Sequence, residues 1–412
     1  MDKIQLIFFF ITGFAISRLI IKARLPHRMV YWFVGKRQLS ITKILFYLIA
    51  ISAFLSFFIP NAITVLTLLP LLELLRRSYE ENNGSSKNVA TMLALSVIYG
   101  ANIGGMGSIT ATPANGILVT FAVFNDIPGI QYLSFASWLV WGIPLVIVFV
   151  GVAGLVLGLV LRPWRYQKSG VQLPFDARQT YHPYQKITIW LTGFYFLSSF
   201  ILSLLMMYFT DRMSLILVIS GLWTLLFIFF LFFLPIRADR AMMSRQVLLT
   251  LADCYSDLPT RGFLFVGIAV VLAAILYAFG IHELLAGWAA WVIPAGISVF
   301  AMFFLIALAT SFSTEVLSNT AVQLSFFVVA LPLAKTLGLS ALEILIVITL
   351  SCTSAFMSPI ATGVNGLAFG GVKGVSFSKM LAVGFVLNIA GALLISSWVL
   401  IVIERLYGMM QN

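Results

Sequence analysis

The chain has 412 residues, of which 61% are hydrophobic and 9% charged, with a mean hydropathy of +1.05; this excludes a soluble protein and describes a polytopic helical membrane protein. The net charge of +11 is then topological information, so no nucleic-acid partner is expected, whereas the lipid bilayer is. Continuous apolar runs exclude a membrane barrel, and the isolated Cys254 and Cys352 and scattered His27, His182 and His282 exclude a disulfide framework and a metal motif, so no cofactor is expected.

Residues 4–22 predict a first span that stays as an anchor, because no small-residue cleavage site follows it. The aromatic and basic segment His27 to Gln38 is too short to span and suits a helix lying in the interface. A hairpin is predicted over 41–76, with apolar arms Ile44 to Ile59 and Ile63 to Leu75 meeting at Asn61. Each arm is too short to cross a bilayer comfortably, since a crossing helix needs about 20 apolar residues, so the hairpin enters and leaves on one side. The polar stretch Arg76 to Asn88 reads as a loop. A broken helix follows over 89–124, interrupted at Gly104 to Thr112 and resuming near Pro113, a residue suited to a first helical turn. A full span, 135–161, closes a first repeat taken as residues 1–163, and 164–186 is the connection.

The second repeat, 187–412, supplies spans at about 187–209, 213–234 and 262–280, with a polar stretch from Arg237 to Arg261 and a short interfacial segment at 281–291. A second hairpin, 293–334, turns at Ser318, Asn319 and Thr320. A second broken helix, 342–372, has arms Leu342 to Met357 and Gly366 to Val372, and a last span covers 378–403. Laying Asn115 on Asn365 matches Ser108 with Ser358, Ala111 with Ala361, Thr112 with Thr362 and Gly116 with Gly366. The fold class predicted is therefore an all-α polytopic membrane protein: an inverted repeat with two re-entrant helical hairpins and two broken transmembrane helices. Inversion follows from Lys and Arg. Segments on one side carry Arg24, Arg76, Arg77, Arg165, Arg237 and Lys379 among others, while the other side holds Lys3, Arg212, Lys335 and Arg405. The positive-inside rule makes the first side cytoplasmic, with the N-terminus outside a plasma (inner) membrane.

Broken backbone at membrane depth is tolerated only inside protein or beside a water-filled cavity, so the tips and breaks should line a site. A Ser/Asn/Thr cluster that merely glues helices together is the plain alternative, and duplication argues against it. Helix starts at Asn61, Asn115, Asn319 and Asn365 offer N–H groups to an anion. The neutral oxygens of Ser56, Ser108, Thr110, Thr112, Thr314, Ser318, Thr320, Ser358 and Thr362 suit a sodium ion that must bind and leave.

These motifs resemble the divalent anion:sodium symporters, in the wider ion transporter superfamily that includes arsenite and citrate permeases. That family carries Ser-Asn-Thr at each hairpin tip and a Gly-Thr-Pro-Pro-Asn-like break, and the resemblance spans most of the chain. It implies sodium-coupled symport of a small inorganic or carboxylate anion by elevator-like alternating access, in a homodimer. Carried over by position, Ser56, Asn61 and Gly107 belong to one sodium site, and Thr314, Asn319 and Ala361 to a second. Ser318, Asn319 and Thr320 also touch the anion, alongside Asn61, Asn115, Thr362 and Asn365. The first tip departs from the pattern, reading Pro60-Asn61-Ala62, and the breaks read ATPAN and ATGVN. Those differences favour a smaller or singly charged anion as much as a dicarboxylate.

Glu73, a turn from Arg76 and Arg77, is read as an ion pair. Glu315, inside the second tip, is read as a structural hydrogen-bonding group, with proton coupling as the alternative. A proton-coupled permease, an efflux carrier of the same superfamily and an anion channel stay open. An enzyme is not expected, since no GxSxG, HExxH or clustered His/Asp constellation occurs.

Overall fold

The computed structural model describes residues 3–26, 28, 40–83, 86–130, 133–166, 184–237, 246–255, 271, 275, 278–280 and 297–411. Most of the expected interfacial segment 27–38, residues 167–183 of the connection 164–186, most of the expected span at 262–280 and the segment at 281–291 lie outside the described residues. What is described is helical, as expected for an all-α membrane protein. Among the described residues four helices are long and apolar enough to cross a membrane.

The first helix, α1, is Lys3–Lys22. Next come α2, Ile41–Ser56, and α3, Asn61–Asn83, separated by the tight turn at Pro60. The first broken helix is α4, Lys87–Gly104, and α5, Pro113–Phe124; α6 is Phe135–Leu161. Two long helices, α7 (Gln185–Tyr208) and α8 (Met213–Phe233), precede the short α9, Leu251–Tyr255. The second set is α10, Val299–Ser313; α11, Asn319–Leu337; α12, Ala341–Cys352; α13, Gly363–Gly371; and α14, Phe377–Trp398. A π-helical stretch, Val399–Ile403, carries the chain into α15, Glu404–Gln411.

Hydroxyl residues decide where these helices begin. Ser40, Ser86, Thr112, Ser134, Ser298, Ser318, Ser340 and Thr362 each sit at an N-cap in extended backbone and accept a hydrogen bond from the amide three residues on. Such caps satisfy amides that the helix itself leaves unpaired, each contributing about 1 kcal/mol.

Three expected boundaries are corrected. The stretch from Arg76, read as a loop, stays helical to Asn83, because Glu73 pairs with Arg76 (2.7 Å) and Arg77 (2.9 Å) and Glu80 with Arg76, all at helical spacing. The first arm of the second broken helix stops at Cys352 and not at Met357, and the second begins at Gly363, so the break is longer than expected. A side chain from the neighbouring hairpin supplies the reason below. The last helix runs past residue 403 through its π-helical stretch, whose wider turn keeps the backbone bonded.

Packing follows one scheme used twice. α2 lies on α4 as α10 lies on α12, and α3 on α4 as α11 on α12. α6 touches α2 and α4, and α14 touches α10 and α12. Crosswise, α5 rests on α11 and α12, while α13 rests on α3 and α4. Close approach needs bare backbone at two matching points. A Cβ on Gly142 of α6 would lie 2.9 Å from the Gly107 carbonyl oxygen, and one on Gly384 of α14 would lie 2.4 Å from that of Phe356. α1, α7 and α8 pack together outside this scheme, and Lys22 of α1 bonds Asp253 of α9 at 2.7 Å.

Candidate functional site

Both breaks are closed by the same stitch. The Asn115 side-chain amide donates to the carbonyls ten and seven residues upstream, Gly105 (2.9 Å) and Ser108 (2.7 Å). Asn365 does the same to Ala355 (3.0 Å) and Ser358 (2.8 Å). These carbonyls belong to interrupted helix ends, and without a partner each would cost about 1 to 3 kcal/mol at this depth. Thr112 and Thr362 cap the resuming helices by accepting from the amides of Asn115 and Asn365. Both asparagines are fully buried, so their N–H groups are spent on the chain itself.

At the first tip the hydroxyls turn inward. Ser56 Oγ donates to Thr64 Oγ1 at 3.0 Å, and both residues are fully buried. Asn61 Oδ1 is buried and has no donor among the described residues, and the same holds for Asn115 Oδ1. Both side chains reach Gly105. A Cβ there would lie 3.2 Å from both Oδ1 and Nδ2 of Asn61 and 2.4 Å from Thr112 Cγ2, while its carbonyl takes the Asn115 stitch. Buried acceptors facing no donor are the condition a small cation satisfies, so the residues present fit sodium as cargo. Gly107, named with Ser56 and Asn61 from the sequence, sits differently. A Cβ on it would meet the Phe57 ring at 2.8 Å, and its carbonyl lies against Gly142.

At the second tip the chemistry reverses. Thr314 Oγ1 lies within donating distance of two acceptors, Asn319 Oδ1 at 2.6 Å and the Cys352 carbonyl oxygen at 3.0 Å. Asn365 Oδ1 accepts from Thr362 Oγ1 (2.9 Å) and from Asn102 Nδ2 (3.2 Å), whose amide also donates to the Ala355 carbonyl at 3.0 Å. The Asn365 oxygen is therefore used, while Gln323 Oε1 and Asn388 Oδ1 of the same half are buried without a donor among the described residues. Ala361 is buried in the turn before the Thr362 cap, its amide on the Ser358 carbonyl. What the tip offers is donors. Ser318 Oγ accepts the Ala321 amide at 3.2 Å and keeps its own proton, and Ser318, Asn319 and Thr320 are all partly exposed at the start of α11. Val316, two residues before Ser318, is 75% exposed, and Ile360 in the second break is 79% exposed.

Glu315 explains the long second break. Its Oε1 accepts from the Phe356 amide (2.7 Å), the Met357 amide (2.9 Å) and Asn388 Nδ2 (2.8 Å), and its Oε2 from the Ser358 amide (2.7 Å). The carboxylate thus replaces the helical carbonyls those amides would have used. This geometry supports the structural role expected for Glu315. In the first half the equivalent position, with Asn61 laid on Asn319, is Phe57, and there Met106 and Gly107 find carbonyls locally, at Ile103 and Gly104.

Sequence reasoning missed Asn102, Thr64, Gln323 and Asn388. Gln323 of α11, fully buried, donates to the Ala114 carbonyl of α5 (2.8 Å) and to Thr349 (3.0 Å), joining the halves. The available signal was a polar side chain inside an apolar run, the same signal that picked out Glu315.

A family model described as that of the citrate transporter, CitMHS, matches residues 3–322, which include both hairpin tips. The chain belongs to the citrate transporter family. It is also similar over its length to curated proteins. An uncharacterized transporter of Haemophilus influenzae is 25% identical over 404 residues, covering 95% of this chain and 79% of the relative. The sodium-dependent dicarboxylate transporter SdcS of Staphylococcus aureus is 24% identical over 416 residues, with 95% and 75% covered. SdcS of Staphylococcus saprophyticus is 23% identical over 424 residues, with the same coverage. Family and relatives agree with the transporter reading of the sequence, so the protein is a multi-pass integral membrane transporter and not an enzyme.

Proposed function

We propose that this transporter is a sodium-coupled symporter of a small carboxylate or inorganic anion, working by elevator-like alternating access. The observation that carries the proposal is the donorless, buried amide oxygens of Asn61 and Asn115, two side chains that both reach Gly105, set against the start of α11 at Ser318, Asn319 and Thr320. A cation satisfies the first, and a helix start with hydroxyls and an amide suits an anion. The printed names of the staphylococcal relatives, sodium-dependent dicarboxylate transporters, favour the same pairing. Glu315, committed to three backbone amides and Asn388, is poorly placed to shuttle protons, which favours sodium over proton coupling.

In this proposal the two hairpins are re-entrant and open to opposite faces, the first to the cytoplasm of a plasma (inner) membrane, with the N-terminus outside. The recurring contact scheme and the short arms of α2 and α10, 16 and 15 residues, support that arrangement. Two protomers make the working unit. Cysteines in place of Glu81 and Lys335, both exposed, are expected to label from opposite faces of sealed vesicles, and labelling from one face would overturn the inversion.

The functional test is uptake of radiolabelled succinate, citrate and sulfate into proteoliposomes. An inward sodium gradient is expected to drive accumulation of at least one of them. Accumulation driven by a pH gradient and indifferent to sodium would refute the coupling.

A further inference from the structure

We propose that the cavity where the turn from α11 to α12 meets the end of the last span binds an outer-leaflet phospholipid with a phosphoethanolamine headgroup. The leaflet follows from the inverted topology above; the rest of the proposal does not depend on the coupling ion.

The cavity measures about 1040 Å³, at the upper end of the roughly 300 to 1,000 Å³ of ligand pockets. The turn beside it is tight, since Gly338 ends α11 with a left-handed φ of 66° and Ser340 already caps α12. Lys335 in the last turn of α11 and Glu343 in the first turn of α12 both line the cavity. Helix dipoles alone favour a base at the one end and an acid at the other. They do not explain Glu404. It stands where the π-helical stretch Val399–Ile403 carries α14 into α15 without interruption, so no free helix start calls for an acid there. That stretch supplies Leu400 and Ile401 to the lining, and α15 adds Glu404 and Arg405.

Two acids and two bases thus line one cavity, yet among the described residues no ion pair joins any of the four. Glu343 is half-buried, and Glu404 stands close enough to repel its charge. An ammonium group shared by the two carboxylates removes that repulsion, and a phosphate suits Arg405 and Lys335. Phosphoethanolamine carries both charges on one short headgroup. Its primary ammonium can donate hydrogen bonds to both carboxylates, which a quaternary ammonium cannot. Leu342, Leu400 and Ile401 continue the lining as apolar surface, which a lipid covers with its chains and a soluble zwitterion leaves bare. The helix ends that form the cavity lie at the level where headgroups meet water in the proposed topology, and charged pockets between helices are where such headgroups bind.

The test adds lipids to the purified full chain in detergent and follows its unfolding temperature without sodium. Dioleoylphosphatidylethanolamine is expected to raise it, and the phosphatidylcholine of the same chains to need roughly tenfold more lipid for the same rise. Phosphatidylglycerol, which brings the phosphate without the ammonium, is expected to fall short likewise. Glu343→Gln with Glu404→Gln is expected to erase the preference for ethanolamine over choline, and Arg405→Gln to weaken the response to all three lipids. Equal responses to the ethanolamine and choline lipids in the wild type, or a preference that survives the double substitution, overturn the proposal. If the double variant does not fold, the wild-type panel decides together with Arg405→Gln, an exposed position whose unchanged response would place the lipid elsewhere. Soluble glycerophosphoethanolamine is expected to give no rise at the same concentration; a full rise from it would overturn the bilayer as the source. None of these outcomes touches the sodium-coupled reading.

Discussion

The two tips are built on one backbone plan and carry opposite chemistry. At Asn61 the flanking residues are Pro60 and Ala62, which bring no hydroxyl, and the amide oxygen lies buried without a donor. At Asn319 the flanking residues are Ser318 and Thr320, and the amide oxygen lies 2.6 Å from the Thr314 hydroxyl. The difference teaches that duplication preserves the stitch and the cap, which keep broken helices tolerable in a membrane, while single substitutions beside them change which polar atoms each half presents. The breaks repeat the lesson, since Asn115 and Asn365 donate identically and differ in what reaches their oxygens.

The comparison is broken most severely at Asn319. Asn319→Ala removes the tip amide and leaves the Thr314 hydroxyl to the Cys352 carbonyl; with about 1.5 to 3 kcal/mol for each hydrogen bond to a charged group, uptake is expected to fall roughly tenfold to a hundredfold. The purified variant should still elute as a single species, and wild-type uptake would remove the second tip from the site.

Glu315→Ala is expected to act on stability instead, because three backbone amides and Asn388 lose their acceptor at once. Each buried donor left without a partner costs about 1 to 3 kcal/mol, read together as a large fall in unfolding temperature with or without sodium. Glu315→Gln should recover part of it, through one remaining carbonyl oxygen. Equal tolerance of Ala and Gln would mean that the long break does not depend on this side chain.

Pro60→Ser with Ala62→Thr sharpens the comparison by giving the first tip the second tip's hydroxyls. Dicarboxylate affinity is expected to rise roughly tenfold, the effect of about 1.4 kcal/mol, measured by competition against labelled substrate uptake. An unchanged affinity would show that the anion meets the second tip alone.

Much of this was legible in the chain. The bounds of α1, α5 and α6 were readable from apolar runs ended by Ser, Thr, Pro or a charge, and the first break at Gly104 to Thr112 from its glycines. What escaped was whatever depended on partners far apart in sequence. The end of α12 at Cys352 is set by Glu315 from another helix, and an apolar, β-branched run gives no sign of it. The helix past Arg76 escaped because Gly84, Ser85 and Ser86 read as a loop while the Glu73, Arg76, Arg77 and Glu80 ladder quietly continued the turn. At the site, the asparagines and the tip hydroxyls were visible as residues, but their roles were not. Asn61 Oδ1 lacks a donor while Ser56 bonds Thr64, and Asn365 Oδ1 owes one of its two donors to Asn102, 263 positions away.

The central claim, that the first half holds the coupling cation, is tested most directly by the rise in unfolding temperature when sodium replaces choline, compared between Asn61→Ala and Asn319→Ala. A ligand that binds only the folded protein stabilises it by about 2.7 kcal/mol at a hundred times its Kd, so the sodium response of the wild type should be easy to see. The account predicts that Asn61→Ala loses this response and Asn319→Ala keeps it. A full response in Asn61→Ala, or its loss in Asn319→Ala alone, would contradict the assignment.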